Sequence, residues 1–245
     1  MSIPPAQWPR MTSTRDRILD TALALFNRHG ERRVTTNHIA AELGISPGNL
    51  YYHFRNKTDI VFELFQRYEG AVAAFLQVPP DRPLTWQDKV AYLEAILRNM
   101  WETRFFHREL GHLLDADERL RERYAAFARQ SLDQGMRVYR ALRGAGLIEA
   151  DDEALEALLV NTWILVANWT GFVHALVPGD QLDEALDRTL LRQGIYQILC
   201  LEAPYLRGEA RSHLREMKDH YRHGDHSTLE LLFRPAATTE STHAG

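Results

Sequence analysis

The 245-residue chain carries 29 Lys/Arg against 33 Asp/Glu, a formal net charge of −4, with 45% hydrophobic and 25% charged residues. That balance is ordinary for a soluble globular protein and argues against a wholesale nucleic-acid binder. Cys200 is the single cysteine, so an internal disulfide is excluded; a buried, inert thiol in a reducing cytoplasm is expected.

The charge is unevenly spread. Arg10 to Arg67 holds nine basic and six acidic residues, +3, and the rest holds 20 and 27, −7. A small basic module on an acidic body hints at a polyanionic partner. Met1–Arg10 places Pro and polar residues where the apolar part of a secretion signal would stand. Residues 1–11 are therefore expected to be a flexible lead-in.

Three short helices follow. Ser13 can cap the first by accepting from the Asp16 amide; Ile18, Ala22, Leu25, Phe26 and His29 recur at helical spacing, and Gly30 closes it. Thr35 or Thr36 caps a second helix with Ile39, Ala40 and Leu43 inward, ended by Gly44. Ser46 as N-cap and Pro47 at the first helical position start a third, which runs to His53. Leu50 and Phe54, four apart, share its inner face. Asn56 caps a fourth helix with Asp59 three residues on.

Two short helices joined by Gly44-Ile45-Ser46 make a helix-turn-helix, whose second helix enters the major groove of DNA. Tyr51, Tyr52 and His53 then lie on outer faces, where they can donate to phosphates. Asn49 can address a base edge, and Gly48 leaves room for close approach. Thr14–Phe65, with its Thr-Thr pair, "IAAELGIS" and "LYYHF", resembles the N-terminal domain of the tetracycline-repressor (TetR) family of bacterial transcriptional regulators. The resemblance adds Thr36, Asn37 and Pro47 as base-facing or groove positions and Lys57 as a phosphate contact. Pro47-Gly48 departs from a side-chain-rich reading surface, which leaves direct readout to Asn49, Asn37 and Tyr51.

Further helices are expected from the fourth up to Pro79-Pro80, from Thr85, over Phe106–Leu114, and from Asp117 to Gly144 or Gly146. Asp151–Val177 and Gln181–Leu201 follow. The stretch after Ala203 adds another. The fold class is all-α: a helix-turn-helix domain over 12–57, a helical ligand-binding and dimerisation domain over 58–223, and a disordered tail over 224–245. Leu158–Val177 has the length of a membrane span, but Asn161, Asn168 and His174 inside it favour a buried helix. No membrane partner is expected.

The Asp151–Val177 helix has a bulky face (Leu155, Leu159, Thr162, Val166, Trp169, Val173). Its other face is narrower (Ala154, Ala157, Asn161, Ile164, Asn168, Gly171, Ala175). The family's plan puts a homodimer interface on Asp151–Leu201 and a small-molecule effector inside the body. Candidate lining residues for a hydrophobic effector are Met100, Trp101, Phe105, Phe106 and His107, with Tyr124, Trp163, Asn168, Trp169 and His174. The resemblance thus implies a cytoplasmic repressor of a palindromic double-stranded DNA operator, with no cofactor. The alternative is a DNA-anchored body that works through a protein partner. "HRELGHLLD" and the His220, His223, His226 steps lack metal-site spacing, and neither a phosphate loop nor a nucleophile elbow is present, so an enzyme is not expected.

Overall fold

A computed structural model describes residues 13–177, 184–222 and 227–233. The expected lead-in over 1–11, most of the expected tail, the start of the Gln181 helix, and His223 and His226 lie outside the described residues. Each N-terminal helix starts on the cap that its sequence offers. Ser13 accepts from the Asp16 amide to begin α1 (Thr14–His29), and Thr35, not Thr36, caps α2 (Thr36–Leu43). Ser46 and Pro47 open α3 (Pro47–His53), and Asn56 caps α4 (Lys57–Phe75). Gly30 and Gly44 turn the chain with φ of 84° and 71°, values that cost a side-chain-bearing residue energy.

The body continues with α5 (Trp86–Glu102), α6 (Arg104–Ala116), α7 (Glu118–Gly144), α8 (Asp152–Leu176), α9 (Glu184–Glu202) and α10 (Gly208–Tyr221). No strand occurs among the described residues; Ile148 and Leu206 form one isolated bridge between two loops. No helix among them is long and apolar enough to cross a membrane. The Leu158–Val177 run belongs to α8, where Leu155, Leu158, Trp169 and Val173 are core residues.

Residues 227–233 correct the tail expectation. Ser227 caps a short α11 (Thr228–Leu232), which buries Leu231 and Leu232. It is pinned to α9 by Gln197 Nε2 donating to Thr228 Oγ1 at 2.9 Å and by Thr228 Oγ1 donating to Gln193 Oε1 at 3.0 Å.

The apolar core of the first four helices does not close on itself. Ile18, Phe26, Leu50 and Phe65 belong to one cluster with Phe105, Phe106, Leu120 and Phe127 from α6 and α7. Phe65 stacks on Phe106 with centroids 5.1 Å apart, and Phe26 lies 5.3 Å from Phe105. Polar links reinforce this seam. Asn27 Nδ2 donates to Glu102 O at 2.7 Å while the Phe105 amide donates to Asn27 Oδ1 at 3.1 Å. Glu109, where α6 departs from helical geometry (φ −114°, ψ 15°), accepts the Glu31 amide at 3.0 Å. Packing is thus continuous across the 57/58 boundary expected from sequence.

His107 sits in this seam, edge-on to Tyr68 at 5.5 Å, with Nε2 buried and unpartnered. Burial pushes its pKa down to about 4, against a weaker upward pull from a backbone hydrogen bond with Ala167. The unfolded chain therefore binds a proton here between about pH 6.5 and 4 that the folded chain refuses. Stability should fall as pH is lowered through that window, by about 3 kcal/mol from this group. Melting curves of wild type and His107→Leu over pH 4–7 check it: the wild type should lose more stability than the variant, and parallel curves would contradict the assignment.

Candidate DNA-binding surface and internal cavity

Burying Leu50 and Phe54, at 0% and 2% exposure, fixes which way α3 faces. The opposite side is left open: Tyr52 is 85% exposed and Tyr51 49%, while Pro47, Gly48 and Asn49 are exposed too. Tyr51 OH and Thr36 Oγ1 lie 3.0 Å apart, which joins the start of α2 to the outer face of α3. Asn37 is exposed beside Thr36, and the Tyr52 and His53 rings meet edge to face at 5.2 Å. A Cβ on Gly48 would meet only Ser46 Oγ at 3.9 Å. The fold itself therefore does not require glycine there. Eight of the nine residues singled out for DNA contact thus form one continuous surface over the starts of α2 and α3 and the outer side of α3.

Lys57 is the correction. Its ammonium donates to Glu31 O at 2.9 Å and Val34 O at 3.0 Å, and pairs with Glu31 Oε1 at 2.8 Å. Three donors meet three acceptors, so no proton is left over for a phosphate. The lysine ties the N-terminus of α4 to the turn before α2 and thereby sets how α2 and α3 stand on the body.

The second feature is an internal cavity of about 130 Å³ walled by α4, α5, α7, α8 and α9. Its apolar wall includes Val72, Leu93, Met100, Phe127, Trp163 and Ile198. Its polar groups are concentrated. Lys89 and Glu202, each 3% exposed, form an ion pair of 2.5 Å. Tyr139 OH donates to Glu202 Oε1 at 2.9 Å and lies 3.0 Å from Thr162 Oγ1. Burial, and Glu202 beside it, hold the Tyr139 phenol well above its usual pKa.

Of the ten residues proposed to touch an effector, the structure brings only Met100 and Trp163 to this cavity. Trp101 is clasped outside it by the Arg104 and Arg188 guanidiniums, at 4.1 and 4.4 Å from its ring. Phe105, Phe106, His107 and Tyr124 build the seam between the two domains. Trp169 donates to Leu190 O at 2.7 Å in the core, His174 lies 3.6 Å from Asp187, and Asn168 is exposed and bonds back to Ile164 O. Sequence reasoning missed Lys89 and Glu202, although both fall on inward stripes. Lys89 is spaced with Trp86, Leu93 and Leu97, and Glu202 with Ile195, Ile198 and Leu199. A charge on such a stripe was the available signal.

A sequence profile described as "Bacterial regulatory proteins, tetR family" matches residues 18–64, and one described as "Bacterial transcriptional repressor" matches 67–214. The chain belongs to the TetR family. A TetR-family transcriptional regulator from Marinobacter aquaeolei VT8 superposes with a TM-score of 0.76 at 45% identity, over 86% of this chain and all of that one. A ketosteroid transcriptional regulator of Mycobacterium tuberculosis shares the fold (TM-score 0.56, 20% identity, 81% of this chain and 98% of that one). So does a Saccharomonospora viridis regulator solved in complex with choline (0.52, 23%, 74% and 94%). An HTH-type transcriptional regulator of Staphylococcus aureus is 31% identical over 121 residues, 49% of this chain and 63% of that protein. The chain thus matches under two thirds of that curated relative's length. TetR membership bears out the all-α, helix-turn-helix reading and a regulator rather than an enzyme.

The Lys57 geometry makes a prediction. Lys57→Met should cost about 2 kcal/mol of stability, since it strands a nearly buried carboxylate and two carbonyls. The slope of log affinity for DNA against log salt should stay unchanged, because no phosphate loses a partner. Denaturation and binding titrations at four salt concentrations read both; a slope reduced by about one would return the lysine to the phosphate backbone.

Proposed function

We propose that this TetR-family chain is a homodimeric repressor that leaves a palindromic operator when a small hydrophobic effector enters the internal cavity. The observation that carries the reading is that α4 belongs to both sites. Its first residue, Lys57, anchors the helix-turn-helix, and about three to five turns later Tyr68, Val72 and Phe75 wall the cavity. A ligand that moves that wall also moves the support of the reading helix, and it favours whichever conformation it binds better.

Within the proposal, Asn37, Asn49 and Tyr51 read base edges while Thr36, Tyr52 and His53 hold the backbone. Pro47 and Gly48 let the groove floor approach. Homodimerisation is supported by α8. Val160, Ile164, Phe172 and Leu176 are 36–51% exposed along one side of that helix, an apolar stripe that a second copy would cover. Asn161 and Asn168 on the same side fold back to donate to Ala157 O and Ile164 O, which leaves the stripe largely apolar. Gly171, expected on that side, instead faces α6: a Cβ there would stand 3.6 Å from His107 O. α10 and α11 pack on α9, so within the interface proposed over Asp151–Leu201 it is α8 that supplies the exposed apolar side chains. The cavity favours a small-molecule effector over a body that only docks a protein. A cation such as the choline of the Saccharomonospora relative would meet the Lys89 ammonium in this cavity.

Selection of bound sequences from random duplex DNA, combined with the mass of the complex on the winning site, tests the proposal. A palindrome holding one or two dimers is the expected result. Absence of any enriched sequence would overturn it.

A further inference from the structure

The cavity's polar groups constrain what the effector is made of. The Lys89 ammonium carries three protons, and one is taken by Glu202 Oε2. No other acceptor among the described residues bonds Nζ, although the side chain is nearly fully buried and lines the cavity. Glu202 is better supplied, with Lys89 on one oxygen and the Tyr139 hydroxyl on the other. Tyr139 is in turn supported by Thr162. The network therefore has protons to spare on Lys89, while each oxygen of its one carboxylate already accepts one hydrogen bond. Ser131 and Asn99 also line the cavity, and neither Ser131 Oγ nor Asn99 Nδ2 makes a hydrogen bond with the described residues. They add two more donors.

Charge narrows the choice further. Lys89 and Glu202 neutralise each other, so the cavity as it stands holds no net charge. An anionic ligand would leave one uncompensated negative charge among mainly apolar walls, and a cationic ligand one positive charge beside an ammonium; both are heavily penalised. A neutral acceptor uses the spare protons at no such cost. The volume of about 130 Å³ is close to that of a cavity, about 150 Å³, that admits benzene.

Resting on the effector reading above, we infer that the ligand is an uncharged, mainly apolar molecule with a carbonyl-type hydrogen-bond acceptor that docks on Lys89 Nζ. The apolar remainder lies against Val72, Leu93, Phe127 and Ile198. A portion larger than one ring enters only as the α4 wall moves outward.

The test uses four probes of one shape, acetophenone, ethylbenzene, benzoate and benzylamine, on the full chain. Binding is followed by saturation-transfer NMR and by thermal melting. Acetophenone should bind about tenfold tighter than ethylbenzene, the scale of one hydrogen bond to a charged group, and the two ions should not bind. In Lys89→Met the ketone should lose that advantage while ethylbenzene still binds. Lys89→Met combined with Glu202→Leu removes the pair together and strands no charge, so it serves if the single variant does not fold. Equal binding of ketone and hydrocarbon to wild type, or preferred binding of either ion, would overturn the carbonyl assignment while leaving the effector reading intact. Silence from all four probes would overturn the effector reading itself, and this inference with it.

Discussion

The reading head stands on an aromatic seam in which α1 and α4 share one core with α6 and α7. Phe65 stacks on Phe106, Tyr68 meets His107, and Asn27 grips the chain between α5 and α6. A three-helix unit of about fifty residues buries too little apolar surface to be robust alone. Here it borrows Phe105, Phe106, Leu120 and Phe127 to complete its core. The DNA-binding surface is therefore held in place by side chains that belong, in the linear sequence, to the other domain. Removing Phe106 would cost about 3–5 kcal/mol by the usual scale for a buried aromatic.

Under the proposed function, that arrangement is the route from cavity to DNA. Close-packed aromatic rings transmit displacement because they have no free volume to absorb it. The cavity shares Tyr68 and Phe127 with the seam, and α4 continues from there to Lys57 beneath α2 and α3. α6 enters the same path, and its break at Glu109 holds the Glu31 amide next to the Lys57–Glu31 pair. The lysine assigned from resemblance to phosphate instead binds, one layer further in, the turn that precedes α2.

Local chemistry was legible in the sequence wherever one short segment decides the outcome. Ser13, Ser46-Pro47, Asn56 and Thr85 cap the helices as expected, because a cap involves residues two or three apart. The aromatic row at 51–54 divided correctly into Phe54 inward and Tyr51 and Tyr52 outward from helical spacing alone. What failed to show was three-dimensional. Aromatic chemistry alone does not separate cavity lining from core: Phe105, Phe106 and Trp169, expected to line the cavity, are plain core. The true polar lining came from Lys89 and Glu202, 113 positions apart. Lys57 looked like an exposed cation because its partners, Glu31 and two carbonyls, lie more than twenty residues away. α11 escaped notice since five residues carry too little periodicity to stand out from a polar stretch.

The central claim is that cavity and reading head move as one unit. Its most direct measurement is the distance between the two reading heads of a dimer. A spin label at Glu42→Cys, on the exposed side of α2, in a Cys200→Ser background would report it by pulsed electron resonance. Without ligand the distribution should agree with reading heads about 34–36 Å apart, one DNA turn. With acetophenone at saturation it should shift by several ångströms as DNA affinity falls. An unchanged distribution accompanied by loss of DNA binding would contradict the account.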